Sequence, residues 1–130
     1  MADKGGDRIM ELKNRSQYLD KLISVQDMEV IKVVTGIRRC GKSSLLKLMM
    51  AHLREQGVME EQILSMNFES MQFADMDSKS LYQYVTERES KGKRLYLFLD
   101  EVQKVRDWQD AVNSFRVDLD CDIYVTGSNA

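Results

Sequence analysis

This sequence predicts an α/β fold, a mainly parallel sheet with helices layered on both faces, and three observations carry the prediction. Short β-branched or apolar runs alternate with longer stretches whose apolar residues recur every three or four positions. Such alternation argues for parallel strands joined by right-handed helical crossovers. The run "RLYLFLDEV" at 94–102 holds five consecutive apolar or aromatic residues, the pattern of a strand buried on both faces. Proline is absent, and the glycines outside residues 35–44 (Gly5, Gly6, Gly57, Gly92 and Gly127) stand where elements would end.

Taken in order, residues 9–23 carry Leu12, Leu19, Leu22 and Ile23 on a helical stripe. "EVIKVVTG" then predicts a buried strand over 30–35. From Lys42, the residues Leu45, Leu46, Met49 and Leu53 share one helical face, and Gly57 stops that helix. "QILSMNF" at 62–68 reads as a second strand. Asp77 or Ser78 caps a helix bearing Leu81, Tyr84 and Val85, which ends before "SKGK". After the strand at 94–102, Val105, Trp108, Val112, Phe115 and Leu119 keep helical spacing, and a last strand runs from about Asp122 to Thr126. Residues 1–8, "MADKGGDR", read as a flexible lead-in, leaving 9–130 as one domain.

The bulk numbers exclude several classes of function. A chain of 130 residues with 43% hydrophobic and 31% charged residues is that of a globular domain, not of a disordered one. A net charge of −2 gives no field that would draw nucleic acid or a membrane surface. The apolar runs are strand-sized, and two cysteines, Cys40 and Cys121, are too few for a secreted disulfide scaffold. The expectation is an intracellular, cytoplasmic protein.

The chemistry concentrates in "TGIRRCGKSS", residues 35–44, which has the spacing G-x-x-x-x-G-K-[ST]. Glycines let the backbone curl so that successive N–H groups face an anion, and the helix starting at Lys42 directs its positive end there. The expected phosphate cradle is Gly36, Ile37, Arg38, Arg39, Cys40, Gly41, Lys42, Ser43 and Ser44. Lys42 reaches the β- and γ-phosphates, Ser43 places its hydroxyl on Mg²⁺, and Ser44 reaches toward the α-phosphate. A glycine-rich turn with an exposed lysine would use the same letters, but the phosphate mechanism demands the preceding strand and following helix that the sequence supplies. At the far end of "YLFLDE", a buried parallel strand ejects Asp100 and Glu101 at its carboxyl end, where ligands sit in open α/β sheets. Asp100 suits a hold on Mg²⁺ through water, and Glu101 suits aligning or deprotonating a water at the γ-phosphate. In "TGSNA", Thr126, Ser128 and Asn129 either touch the γ-phosphate or the attacking water, or form an ordinary turn. Arg38 and Arg39 either screen phosphate charge or are solvated. Trp108 and most methionines read as packing residues, His52 as a surface residue, and Cys121 as a buried or strand-edge thiol.

Together "GIRRCGKSSLL", "NFES", "LYLFLDEVQKVRDWQDAVNSF" and "IYVTGSN" resemble the prokaryotic ATPases of the AAA+ superfamily. The likeness runs from about Arg15 to the last residue, and is to the branch that reads TG-x-RR-x-GKS, LDE-[IV]-Q and TGSN. It implies a P-loop NTPase fold of three α/β/α layers, with Lys42–Ser43 as the Walker A pair and Asp100–Glu101 as the Walker B pair. Ser128 or Asn129 takes the sensor position. Asn67 takes the place of the polar residue that restrains the catalytic glutamate in many members, although a solvated turn explains Asn67 and Glu69 as well. The implied sheet has five strands in the order 5-1-4-3-2, of which the 130 residues supply four. On that reading the chain is a truncated ATPase core that lacks the arginine finger, the lid and a C-terminal domain. ATP and Mg²⁺ would bind more ably than they are turned over. The strand at 30–35 would be an exposed edge open to self-association. A nucleotide-sensing module without hydrolysis and a P-loop kinase are the competing functions.

Overall fold

The computed structural model describes residues 15–34 and 41–127. The expected lead-in at 1–8, the loop residues Gly36 to Cys40, and Ser128 and Asn129 therefore lie outside the described residues. Within them the elements run α1 (Arg15–Ser24), β1 (Lys32–Val34), α2 (Lys42–Glu55), β2 (Ile63–Asn67), α3 (Ser78–Glu87), β3 (Leu95–Asp100), α4 (Trp108–Asp118) and β4 (Cys121–Thr126). The four strands form one sheet in the order β1-β4-β3-β2, with every neighbouring pair parallel. The expected α/β class, with four strands of a P-loop-type sheet, is what the chain adopts.

Two apolar layers follow from the period of two along the strands. Tyr96, Phe98 and Tyr124 point toward α1 and α2, where they meet Leu22, Leu45, Leu46, Met49 and Leu53. Leu95, Leu97, Leu99, Ile123 and Val125 point the other way and meet Leu81, Val85, Val112 and Phe115 of α3 and α4. β3 is buried at all six positions because helices cover both its faces, which is why it reads as an unbroken apolar run. Phe98 and Tyr124 stack across neighbouring strands with ring centroids 4.7 Å apart.

Helix ends follow local chemistry. Asp77 caps α3 by accepting the Ser80 backbone N–H at 2.9 Å. That bond and the Ser80 hydroxyl hold the Asp77 carboxyl below its ordinary value. α4 starts at Trp108, later than the spacing from Val105 suggests: Val105 instead closes a 3₁₀ turn, Val102–Lys104, and is buried there. Trp108 packs half-buried against the α3/α4 layer, and Met49, Met50 and Met66 are core residues. Met28, Met59 and Met71 are exposed. Among the described residues β1 and β2 are the two edge strands. Val33 is 49% exposed, and a groove of about 380 Å³ lies along β1 against α1, lined by residues that include Leu22, Val25 and Val34.

Polar groups at the amino-terminal edge of the sheet form a closed network. Asp122 of β4 accepts from the Lys32 ammonium of β1, from the Asp27 backbone N–H at 2.9 Å and from the Tyr124 hydroxyl at 2.7 Å. The Lys32 and Asp122 side chains are only 3% and 0% exposed. Lys32 also donates to the Met28 carbonyl at 2.7 Å. Arg94 and the Tyr96 hydroxyl both donate to Asp27 at 2.8 Å, and Arg94 bridges to Asp120. Burial opposes ionisation of Asp27, but hydrogen bonds from Tyr96, Gln26 and Arg94 outweigh it and hold the carboxyl below its ordinary value. Burial, then the bond to Asp27, pushes the Tyr96 phenol up to about 12.

Candidate functional site

The opposite, carboxyl-terminal edge gathers a different set of groups. α2 begins immediately after Gly41, which sits in the left-handed region at φ +98°. A Cβ there would lie 2.8 Å from the Ser44 Cβ, so glycine is required both for the turn and for the close approach of the first helical turn. Among the described residues no side chain caps this helix start, and the first backbone N–H groups of a helix are donors suited to an anion. The turn thus presents Lys42 and Ser43 at the positive end of a fourteen-residue helix.

β3 and β4 bring their ends to the same place. Asp100 shares the strand face of Tyr96 and Phe98, so its carboxylate turns toward α2, where the Ser43 hydroxyl donates to Oδ2. Its other oxygen, Oδ1, accepts the hydroxyl of Thr126 at the end of β4. Thr126 Oγ1 in turn accepts the Glu101 backbone N–H at 3.0 Å. Asp100 and Thr126 are both buried. Glu101 follows in the left-handed region at φ 58°, ψ 50°, a conformation that costs a non-glycine residue about 1–2 kcal/mol. The turn aims its carboxylate at Lys42, with Nζ to Oε2 at 3.8 Å and side-chain exposures of 8% and 18%. Glu101 Oε1 accepts from the Gln103 side-chain amide at 2.8 Å.

Of the residues expected from sequence, Lys42, Ser43, Asp100 and Glu101 therefore meet at one corner, with Gly41 and Ser44 forming the turn beneath them. Asn67 is paired in register with Asp100, but its Oδ1 accepts the Glu69 backbone N–H at 3.0 Å. Both residues are exposed, which is the turn reading of this pair. Gln103 is an addition to the expected set, and Thr126, expected as a phosphate or water contact or a turn residue, bonds instead to both acids. "TGSN" had marked the strand end without saying that Thr126 ties both acids together, and Gln103 was visible only as the last letter of "DEVQ". Cys121 is half-buried at the start of β4. Burial pushes its thiol up to about 11, so it is a poor source of thiolate. His52 is half-buried too, not simply superficial, and its Nε2 lacks a hydrogen-bond partner.

The donor chemistry fits a small hard cation carrying phosphate. A hydroxyl and a carboxylate in direct contact are the oxygen ligands that Mg²⁺ takes, directly or through water. Among the described residues no group of three or more His, Cys, Asp or Glu could hold a metal. Mg²⁺ needs no such cage, because it keeps several waters and uses substrate phosphates.

Comparison with known families assigns the chain, not its individual site residues, to a class. The family model described as AAA domain matches residues 29–130, most of the chain and the whole of the sheet. The chain belongs to the AAA domain family. This places it among P-loop nucleotide-binding proteins in general. An uncharacterized protein of Haemophilus influenzae is 41% identical over 119 residues, which cover 90% of this chain and 30% of that protein. The chain thus spans under a third of the length of the relative it matches. No solved structure matched. Among the described residues of this AAA domain, no helix is long and apolar enough to cross a membrane.

Proposed function

We propose that this AAA domain binds ATP with Mg²⁺ at the carboxyl edge of its sheet and hydrolyses it. On this reading it is of the branch marked by TG-x-RR-x-GKS and LDE-[IV]-Q. The observation that carries the reading is the contact between Ser43 and Asp100 at the uncapped start of α2, beside the buried Lys42. Bound Mg²⁺ would neutralise charge across the β- and γ-phosphates. Ser43 and Asp100 would hold the ion, Asp100 through water and kept in orientation by Thr126. Lys42 exchanges its long contact with Glu101 for the phosphates. Glu101 then accepts the proton of the attacking water as the water oxygen bonds to the γ-phosphorus and the bond to the bridging oxygen breaks. Residues 36–40 complete the cradle, and Ser128 or Asn129 reports on the γ-phosphate. The edge strand β1 is the surface at which another strand, from a second copy or from a further domain, adds to the sheet.

Titration with a fluorescent ATP analogue, with and without Mg²⁺, tests the reading. Lys42→Ala removes a charge-assisted contact worth about 1.5–3 kcal/mol, so affinity should fall about ten- to a hundredfold. Equal affinity of parent and variant would sink it.

A further inference from the structure

The two oxygens of the Glu101 carboxylate are held in different ways. Oε2 has the Lys42 ammonium at 3.8 Å, a loose contact with a group that has other work once phosphate arrives. Oε1 has a neutral amide donor, Gln103 Nε2, at 2.8 Å. Gln103 stands in the short turn Val102–Lys104, which is anchored to the core by Val102 and Val105, both buried. The turn is closed by backbone bonds from Lys104 N to Glu101 O at 3.2 Å and from Val105 N to Val102 O at 3.0 Å. The donor is therefore fixed relative to the acid.

The Gln103 Oε1 atom is buried and, among the described residues, has no hydrogen-bond partner, as is also true of Gln26 Oε1 in the amino-edge network. What distinguishes Gln103 is its donor end: among the described residues the amide has one partner, the Glu101 oxygen that Lys42 does not contact. Asn67 does not make this contact: its oxygen accepts the Glu69 N–H, and among the described residues no hydrogen bond joins its amide nitrogen to Glu101.

We propose that Gln103 is the positioning residue for Glu101, fixing one carboxylate oxygen so that the other faces the attacking water when Lys42 turns to the phosphates. The proposal rests on the ATPase reading above. An amide suits the task because it donates to the carboxylate without carrying a charge or a titratable proton, and so leaves the acid free to act as base.

Two measurements on the same protein test it. In ¹⁵N–¹H spectra, the Gln103 side-chain amide should carry a proton shifted downfield by the carboxylate. The shift should vanish in Glu101→Ala and persist when Mg²⁺ and a non-hydrolysable ATP analogue are added. In single-turnover phosphate release, Gln103→Met, which keeps length and loses the donor, should slow hydrolysis about tenfold or more. Its nucleotide affinity should stay within about threefold of the parent, since among the described residues Gln103 bonds to Glu101 and not to Gly41, Lys42, Ser43 or Ser44. Gln103→Glu, of the same shape, serves as a second variant if the first misfolds, and should slow release at least as much. An amide shift indifferent to Glu101→Ala, or a rate that falls only in step with affinity, would overturn the proposal. If the parent binds nucleotide without releasing phosphate, the amide signal decides: retention with the analogue supports positioning and its loss refutes it. If the parent binds no nucleotide, the ATPase reading falls and carries the positioning role with it, even with the amide bond intact.

Discussion

The two edges of the sheet carry the same pair of charges and treat them in opposite ways. At the amino edge, Lys32 and Asp122 are in direct contact, almost wholly shielded, and the remaining oxygen of Asp122 takes a backbone N–H and a tyrosine hydroxyl. At the carboxyl edge, Lys42 and Glu101 stand 3.8 Å apart and partly open. The backbone there is left-handed at Gly41 and Glu101, and an amide oxygen of Gln103 is unpaired. The difference teaches which edge is a fixture and which is a site. A buried pair with every acceptor satisfied resists exchange, whereas a loose pair beside a helix N-terminus can trade partners with a ligand. Left-handed backbone and an open amide oxygen occur at both edges, since Asp27 and Gln26 show them at the amino edge, so it is the looseness of the ion pair that separates the two.

The largest effect that would sharpen this contrast belongs to the amino edge. Asp122→Ala strands the buried Lys32 ammonium and should cost about 3–5 kcal/mol of stability in urea unfolding. Lys42→Ala should leave stability nearly unchanged in the same assay while it removes nucleotide affinity. Equal destabilisation by the two variants would break the comparison. Next comes Gly41→Ala, which forces a left-handed alanine against Ser44 and should cost about 1–2 kcal/mol, with weaker nucleotide binding because the first turn of α2 is displaced. The smallest effect is alkaline. Tyr96 has its phenol raised from 10.0 to about 12 by burial and by Asp27, and Tyr124 is raised by burial and by Asp122. Their neutral forms are favoured on folding, so this contribution is complete below pH about 10 and is lost as the pH climbs toward 12. Urea midpoints at pH 8, 10 and 11 should fall in that order. Replacing Tyr96 with Phe should flatten the decline, and an unchanged slope would show that the network does not govern it.

Much of the fold was legible because burial on both faces leaves a coarse mark. "LYLFL" could be read as β3 without knowing its neighbours, and Leu45, Leu46, Met49 and Leu53 announced the buried face of α2. Boundaries were less legible where a turn imitates a helix: Val105 keeps helical spacing with Trp108 yet belongs to the preceding 3₁₀ turn. The site divides in the same way. Glycine spacing and the Asp100–Glu101 pair identified the main groups, because phosphate binding makes stringent local demands on the backbone. The partners of those groups were not legible. Asn67 and Gln103 are both short polar letters near a strand end, and only their placement shows that one closes a turn while the other grips Glu101.

What the sequence by itself determined is therefore the order of elements and the chemical types gathered at the loop, since both follow from local periodicity and local backbone freedom. Tertiary structure alone decided that Asp100 faces α2, that Thr126 joins Asp100 to Glu101, and that Asp122, rather than another acid, neutralises Lys32. These pairings join residues 25 to 90 positions apart, and no local propensity can specify a contact made only when two strands and a helix come into register.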